Sequence, residues 1–152
     1  MVASSIPETW TLKVVFSTGI VIGSVAVCGQ MTLLYLLFSR HGESGFLSDF
    51  SYGQILMAMW LALSLLDFYS VFAARCSSGF FFSRAPSPPL LGAAVFAMFV
   101  STVLATTWPF NAYSEGVEME ALNANQALFI WAYCTGWFFV QDLIKVSRVA
   151  PR

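Results

Sequence analysis

The sequence predicts an all-α membrane protein in which four antiparallel transmembrane helices form one bundle. Two observations predict this fold class. Of the 152 residues, 58% are hydrophobic and only 10% are charged, which is too apolar for a soluble domain of this length. Four apolar runs are also long enough to cross the roughly 30 Å hydrocarbon core of a bilayer as helices, and none alternates in polarity as a membrane β-strand does. The chain is therefore predicted to be a single transmembrane domain.

The predicted spans follow one another with short connections. The first covers residues 14–38, which contain no charged residue. The second covers residues 52–74 and contains one acidic residue, Asp67. The third covers residues 90–110, after a proline cluster that suits a helix entry better than a helix interior. The fourth covers residues 127–144. The segment before the first span lacks the basic start and cleavage site of a signal peptide, so we expect this span to be retained.

The basic residues beside the spans predict the orientation. Six of the seven are predicted to lie on one side of the membrane: Lys13, Arg75, Arg84, Lys145, Arg148 and Arg152. The opposite side carries Arg40 and several acidic loop residues. By the positive-inside rule, both termini are predicted to be cytoplasmic. Arg75, Arg84, Asp142 and Lys145 are then expected at the cytoplasmic interface, with Asp142 and Lys145 paired at i and i+3.

Composition and missing motifs exclude several classes of function. The net charge of −1 offers no basic surface for nucleic acid or anionic lipid. The three cysteines have no metal-site spacing, and a single histidine leaves little for zinc or Ser/His/Asp chemistry. No loop approaches the roughly 100 residues of a nucleotide-binding domain, and no glycine-rich phosphate-binding motif occurs. We therefore predict no catalytic, cofactor or metal site within this chain.

Asp67 is the ionisable residue placed most deeply in a predicted span. A charge there costs about 2.5 to 3.5 kcal/mol on insertion scales, which the surrounding apolar residues can offset. Ser64 and Ser70, at i−3 and i+3, are predicted to share its face and to form a polar stripe toward the bundle. One interpretation is a carboxylate that handles protons or other cations. The other is a hydrogen bond that packs one span against its neighbour, and both stay open.

Small residues in the first span predict close helix packing. Gly19 and Gly23 form a G-x-x-x-G pattern, and Ser24 continues the small or polar face. Packing within the bundle is the main interpretation, and dimerisation is the alternative. Gln30 in the same span is expected to meet a polar group of a neighbour, since an amide exposed to hydrocarbon is costly.

Three stretches spread over nearly the whole chain resemble one known family. They are Ile6-Pro7-Glu8-Thr9-Trp10-Thr11-Leu12-Lys13 with Phe16-Ser17-Thr18-Gly19; Ser64-Leu65 with Phe72, Arg75, Arg84 and Pro86; and Trp131, Tyr133, Asp142 and Lys145. Together they resemble the seventh, eighth and tenth helices of plasma-membrane proton-pumping P-type ATPases of plants, fungi and protists. The family's tenth helix ends Leu-Asp-x-x-Lys, whereas Gln141 stands in place of the Leu here.

The resemblance implies a part of an ATP-driven proton pump. The phosphorylation motif Asp-Lys-Thr-Gly-Thr, the Thr-Gly-Glu loop, the nucleotide domain and the first six helices of the family are missing from these residues. ATP and Mg²⁺ would therefore bind the missing domains, and the main proton carboxylate also belongs to that missing part. At the position of Asp67, some family members carry a carboxylate and others a small polar residue. The resemblance implies the plasma membrane, with an organellar membrane as the alternative.

Two functions of different classes remain open at this point. The chain either supports ATP-driven proton transport together with the missing part, or serves as a structural or accessory subunit of a larger membrane complex without pumping. Its partners are then the lipid bilayer and either the rest of a P-type ATPase or the subunits of another complex. A four-helix channel is disfavoured, because one carboxylate and a few hydroxyls do not line a continuous pore.

Overall fold

The computed structural model describes residues 12–39, 50–75, 88–108, 113–114 and 117–149. These residues form four long helices and a two-stranded antiparallel hairpin: α1 (Leu12–Ser39), α2 (Tyr52–Arg75), α3 (Pro88–Thr107), β1 (Tyr113–Ser114), β2 (Val117–Glu118) and α4 (Ala124–Val149). All four helices are long and apolar enough to cross a membrane. The predicted fold class, an α-helical membrane protein with four spans, is confirmed, and the two short strands lie in the connection between α3 and α4.

The helix ends differ most from the prediction in α3 and α4. Helix α3 begins at Pro88, in the first turn where proline costs no hydrogen bond, and ends at Thr107 because Pro109 disfavours helical geometry in Trp108. Helix α4 is longer than its apolar run at both ends. An apolar run predicts the part of a helix that crosses the hydrocarbon. The helix itself can extend beyond that part, as long as its backbone N–H and C=O groups form hydrogen bonds.

Helix α2 is the centre of the bundle and packs against the other three helices. It supplies much of the buried core, including Ala58, Leu61, Ala62, Leu65 and Leu66. Helix α3 lies at the periphery, and the structure buries three of its residues, Ala94, Met98 and Ala105. Most polar contacts of the interior join α1, α2 and α4, and α3 adds one where the Trp131 indole of α4 donates to the Thr102 hydroxyl, at 3.0 Å.

Hydrogen bonds between helices give their relative directions. Between α4 and α2 they join Gln126 to Gln54, Gln141 to Ser70 and Lys145 to Ala73. Residue numbers rise together in this set, so α2 and α4 run in the same direction. Between α4 and α1 they join Tyr133 to Gly29, Trp137 to Val25 and Gln141 to Ile22. Here one number rises as the other falls, so α1 and α4 run in opposite directions.

The outer surface of the bundle is apolar. Large exposed side chains occur on every helix and include Phe16, Tyr35, Phe96, Phe99 and Leu128. Such a surface suits lipid or another membrane helix as its neighbour. The orientation of the bundle in the membrane, with both termini cytoplasmic, stays a prediction.

Candidate functional site

Asp67 lies on the outer surface of the bundle. The structure leaves its side chain exposed, whereas the sequence predicted that it faces the other spans. The predicted polar stripe is also divided. Ser64 donates a hydrogen bond to the carbonyl of Trp60 in its own helix, at 3.1 Å, while Ser70 accepts one from Gln141 of α4, also at 3.1 Å. These three residues therefore do not form one site within the chain.

Asp142 and Lys145 form a buried ion pair at the far end of α4. The Lys145 ammonium lies 2.6 Å from a carboxylate oxygen of Asp142, and the two residues are only 2% and 1% exposed, respectively. Lys145 also donates a hydrogen bond of 3.1 Å to the carbonyl of Ala73, in the last turn of α2. The predicted pairing is confirmed, but the pair lies between two helices and not on the surface of the bundle.

This arrangement joins the C-terminal ends of α2 and α4. The last carbonyls of a helix lack partners within the helix and carry the negative end of its dipole. The Lys145 cation meets one of these carbonyls on α2, while Asp142 neutralises it from within α4. A buried charge needs this kind of compensation. The ion pair therefore fixes the ends of α2 and α4 to each other.

Gln141 links three helices directly beside the ion pair. Its side-chain amide donates to the carbonyl of Ile22 in α1, at 3.0 Å, and to the hydroxyl of Ser70 in α2, at 3.1 Å. It stands where the resembling family has leucine. A polar residue is accommodated here because both amide hydrogens find acceptors, although its side-chain oxygen has no hydrogen-bond partner among the described residues.

Two aromatic residues extend this contact along α1. Trp137 donates from its indole nitrogen to the carbonyl of Val25, and Tyr133 donates from its hydroxyl to the carbonyl of Gly29, both at 2.7 Å. The two rings are stacked, with an interplanar angle of 13°. Tyr133, Trp137 and Gln141 recur every four residues, which places them on one face of α4. We call these three residues the α4 donor row.

Gly29 allows the donor row to approach α1. A Cβ atom at this position would lie 2.6 Å from Cδ1 and 2.7 Å from Cε2 of Trp137, well inside van der Waals contact. The close-packing glycine of α1 is therefore Gly29. The predicted pair, Gly19 and Gly23, is exposed and has no atom of another helix within 4 Å of a Cβ built there.

Ser24 and Gln30 of α1 do not make the contacts that the sequence predicted. Ser24 is exposed and donates to the carbonyl of Ile20, at 2.7 Å, in its own helix. The predicted packing face of Gly19, Gly23 and Ser24 is thus exposed on the outer surface of the bundle. Gln30 is 9% exposed, and neither amide atom has a hydrogen-bond partner in the described part of the chain. The predicted polar neighbour of Gln30 is not found among these residues.

The opposite end of the bundle is held by two linked helix caps. Ser51 and Gln54 at the start of α2 exchange hydrogen bonds of 3.2 and 3.3 Å, which is the reciprocal capping box. At the start of α4, the backbone of Asn123 donates to the side chain of Gln126, at 3.0 Å. Gln126 in turn donates to Gln54, at 3.0 Å, and Ser51 donates to Glu120. The starts of the two helices are thereby joined.

The remaining predicted interface residues cannot be placed in this geometry. Arg75 ends α2, but its side chain and the whole of Arg84 lie outside the described residues. His41 and Cys76 lie outside them as well. In the described ranges, no group of three or more His, Cys, Asp or Glu residues is placed to hold a metal ion.

The chemistry of the described interior is that of helix packing. Each member of the donor row donates to a backbone carbonyl of α1, and Gln141 also donates to the Ser70 hydroxyl of α2; backbone carbonyls accept hydrogen bonds but do not pass protons on. Sequence reasoning missed this row, although its four-residue spacing of Tyr, Trp and Gln is visible in the sequence. It also missed the caps, whose signatures are Ser-x-x-Gln at 51–54 and Asn-x-x-Gln at 123–126. Asp67 is the acidic side chain of the described spans that this network leaves out.

These features define a polytopic helical membrane protein with a closely packed polar interior and, within the described spans, one outward-facing carboxylate. The sequence is similar to two curated proteins of Leishmania donovani, probable proton ATPase 1A and probable proton ATPase 1B. Each is 32% identical to this chain over an alignment 161 residues long, which covers 96% of this chain and 16% of the relative. The chain therefore spans only a small part of these relatives. No protein-family model matches it. The resemblance to proton ATPases, predicted from residue patterns, is confirmed.

Proposed function

We propose that this chain corresponds to the last four membrane helices of a P-type proton pump. It would support ATP-driven proton transport only together with the missing catalytic part, which carries the phosphorylation and nucleotide domains. The observation that carries this proposal is the similarity to proton ATPases over 96% of the chain. In this proposal, ATP and Mg²⁺ bind that missing part, and this chain supplies no catalytic residue.

The role that fits the geometry is that of a membrane scaffold. Asp142, Lys145 and the α4 donor row hold α1, α2 and α4 together through buried contacts. In this proposal, the joined helices α1, α2 and α4 stay fixed, and the helices of the missing part move along their surface during transport. Asp67 faces outward from the joined helices, where a proton-carrying helix of a partner would reach it. The proposed membrane is the plasma membrane, with both termini cytoplasmic.

A second candidate function is that of a structural subunit of another membrane complex without pumping activity. The observation that favours it is the use of the interior polar groups for packing, since Gln141, Trp137 and Tyr133 all donate to backbone carbonyls of α1. The two candidates share the same scaffold. They differ in the partner that the scaffold supports.

Purification from the native membrane in mild detergent separates the two candidates. The chain carries an affinity tag, and the proteins that accompany it are identified by mass spectrometry. Recovery with a polypeptide that contains the phosphorylation motif and nucleotide domain, and ATP-dependent proton uptake by vesicles reconstituted with that complex, is the expected result. Recovery with an unrelated complex and no such uptake would overturn the pump proposal in favour of the structural subunit.

A further inference from the structure

The outer face of α2 is an apolar stripe with a carboxylate inside it. Five exposed residues at helical spacing form this face, which we call the α2 outer face: Trp60, Leu63, Asp67, Val71 and Ala74. At about 1.5 Å per residue, Asp67 lies about 10 Å along the helix axis from Ala74, where the span ends. An aspartate side chain is too short to reach the headgroup layer from that depth, unlike lysine or arginine. Contact with lipid alone would leave this carboxylate without compensation.

The charge of the other carboxylate in the spans, Asp142, is balanced by a basic residue of the same chain. Within the four described spans the charged residues are Asp67, Asp142 and Lys145. Asp142 is paired with Lys145 at 2.6 Å and is buried. Lys145 is already paired with Asp142, and it is the only basic residue within the described spans. These spans therefore contain no basic side chain that could pair with Asp67. By charge complementarity, the missing partner of Asp67 is a cation.

A second copy of this chain does not supply that partner. Its spans offer no further basic residue, and the exposed hydroxyls of Ser24 and Thr32 already donate to carbonyls of their own helix, at 2.7 Å. Two copies that met through their α2 outer faces would bring two carboxylates together, which repel each other when charged. The complementary surface therefore lies on a helix whose sequence is outside these 152 residues.

We infer that the α2 outer face is the docking surface for a transmembrane helix whose sequence lies outside these 152 residues, and that this helix places a lysine or arginine side chain against Asp67. The apolar residues on either side of Asp67 give this helix its packing surface, and the ion pair fixes its register. This inference deepens the proposed function by naming the surface at which the partner binds. The contact itself follows from the charge distribution of the spans and does not require that the partner be an ATPase.

Photocrosslinking in the native membrane tests the contact. A benzophenone amino acid replaces Leu63 or Val71 on the α2 outer face, and in matched controls it replaces Phe96 or Phe99 on α3, a helix that contains no charged residue. We expect a protein adduct from both α2 positions, with the partner helix identified by mass spectrometry, and lipid adducts from α3. Lipid adducts alone from both α2 positions, or adducts to a second copy of this chain, would overturn the inference.

Substitution of Asp67 tests the charge. Because an interhelical polar contact in a membrane is worth about 1 to 2 kcal/mol, Asp67→Asn and Asp67→Leu should each lower the adduct yield about tenfold. Asp67→Glu, which keeps the charge, should retain most of it. A full yield from Asp67→Asn would overturn the assignment of a basic partner.

The outcomes separate this inference from the proposed function. A protein adduct with a polypeptide that is not an ATPase would support the docking surface and overturn the pump. Lipid adducts alone, in membranes where the chain still purifies with an ATPase, would overturn the docking surface and leave the pump intact.

Discussion

Asp142 and Asp67 are two aspartates in parallel helices of one membrane bundle, and their surroundings differ completely. Asp142 is 1% exposed and lies against Lys145, which also binds the end of α2. Asp67 is exposed on the outer face of α2. A carboxylate buried in its own chain with its counterion serves the fold of that chain. A carboxylate turned outward at membrane depth does not, and its compensation must come from outside.

The same contrast separates the two glycine positions of α1. Gly29 faces α4 and accommodates the ring of Trp137, whereas Gly19 and Gly23 face outward with open space beside them. The inner surface of the bundle is therefore sensitive to added atoms, and the outer surface is not. Matched substitutions on the two surfaces measure this difference directly.

The largest effect is expected from the ion pair. Asp142→Asn leaves the Lys145 cation buried without its counterion, which should lower the free energy of unfolding by about 3 to 5 kcal/mol. The matched control, Asp67→Asn, removes an exposed charge that forms no ion pair with another described residue, and it should change the free energy of unfolding by less than about 0.5 kcal/mol. Reversible unfolding of the purified chain in mixed detergent and SDS micelles gives both values. An equal decrease in the free energy of unfolding for both variants would contradict the different structural roles of the two aspartates.

A smaller effect is expected at Gly29. Gly29→Ala places a methyl group into the ring of Trp137 and should cost about 1 to 3 kcal/mol through overpacking. Gly19→Ala adds the same methyl group to open space and should be neutral or slightly stabilising, because alanine has the higher helix propensity. The same unfolding assay compares the two. A neutral Gly29→Ala would mean that the α4 donor row does not pack against α1 as closely as described.

The smallest effect is expected at the helix caps. Ser51→Ala removes the cap of α2 and the contact with Glu120, and should cost about 1 kcal/mol. Ser24→Ala removes a hydroxyl that bonds only within α1 on the outer surface, and should cost less than about 0.5 kcal/mol. Hydrogen exchange of the Gln54 amide should also increase in Ser51→Ala. No change in that exchange would contradict the capping box at the start of α2.

The number and approximate position of the spans were predictable because hydrocarbon imposes a simple condition on a sequence. A helix that crosses the bilayer needs about 20 apolar residues, and four such runs are visible. The Asp142 and Lys145 pair was predictable for a similar reason, since residues at i and i+3 are neighbours on any helix. Both predictions depend on local sequence alone.

Local sequence did not predict which side of each helix turns toward the other helices and which side turns toward lipid. All four spans are apolar around their circumference, so hydrophobicity does not distinguish the side that meets another helix from the side that meets lipid. The inward placement of Asp67 and the packing role of Gly19 and Gly23 were inferred from residue type, and the structure places all three outside. Gly29 was overlooked because nothing in its local sequence sets it apart.

The sequence by itself therefore determined that this is a four-span membrane protein, and its residue patterns determined the resemblance to proton ATPases. Only the tertiary structure decided which polar groups hold the bundle together and which face outward. The physical reason lies in the solvent. Water sorts polar from apolar residues along the sequence of a soluble helix, whereas in a bilayer the pairing of helices is decided by close packing and by hydrogen bonds between residues far apart in the chain.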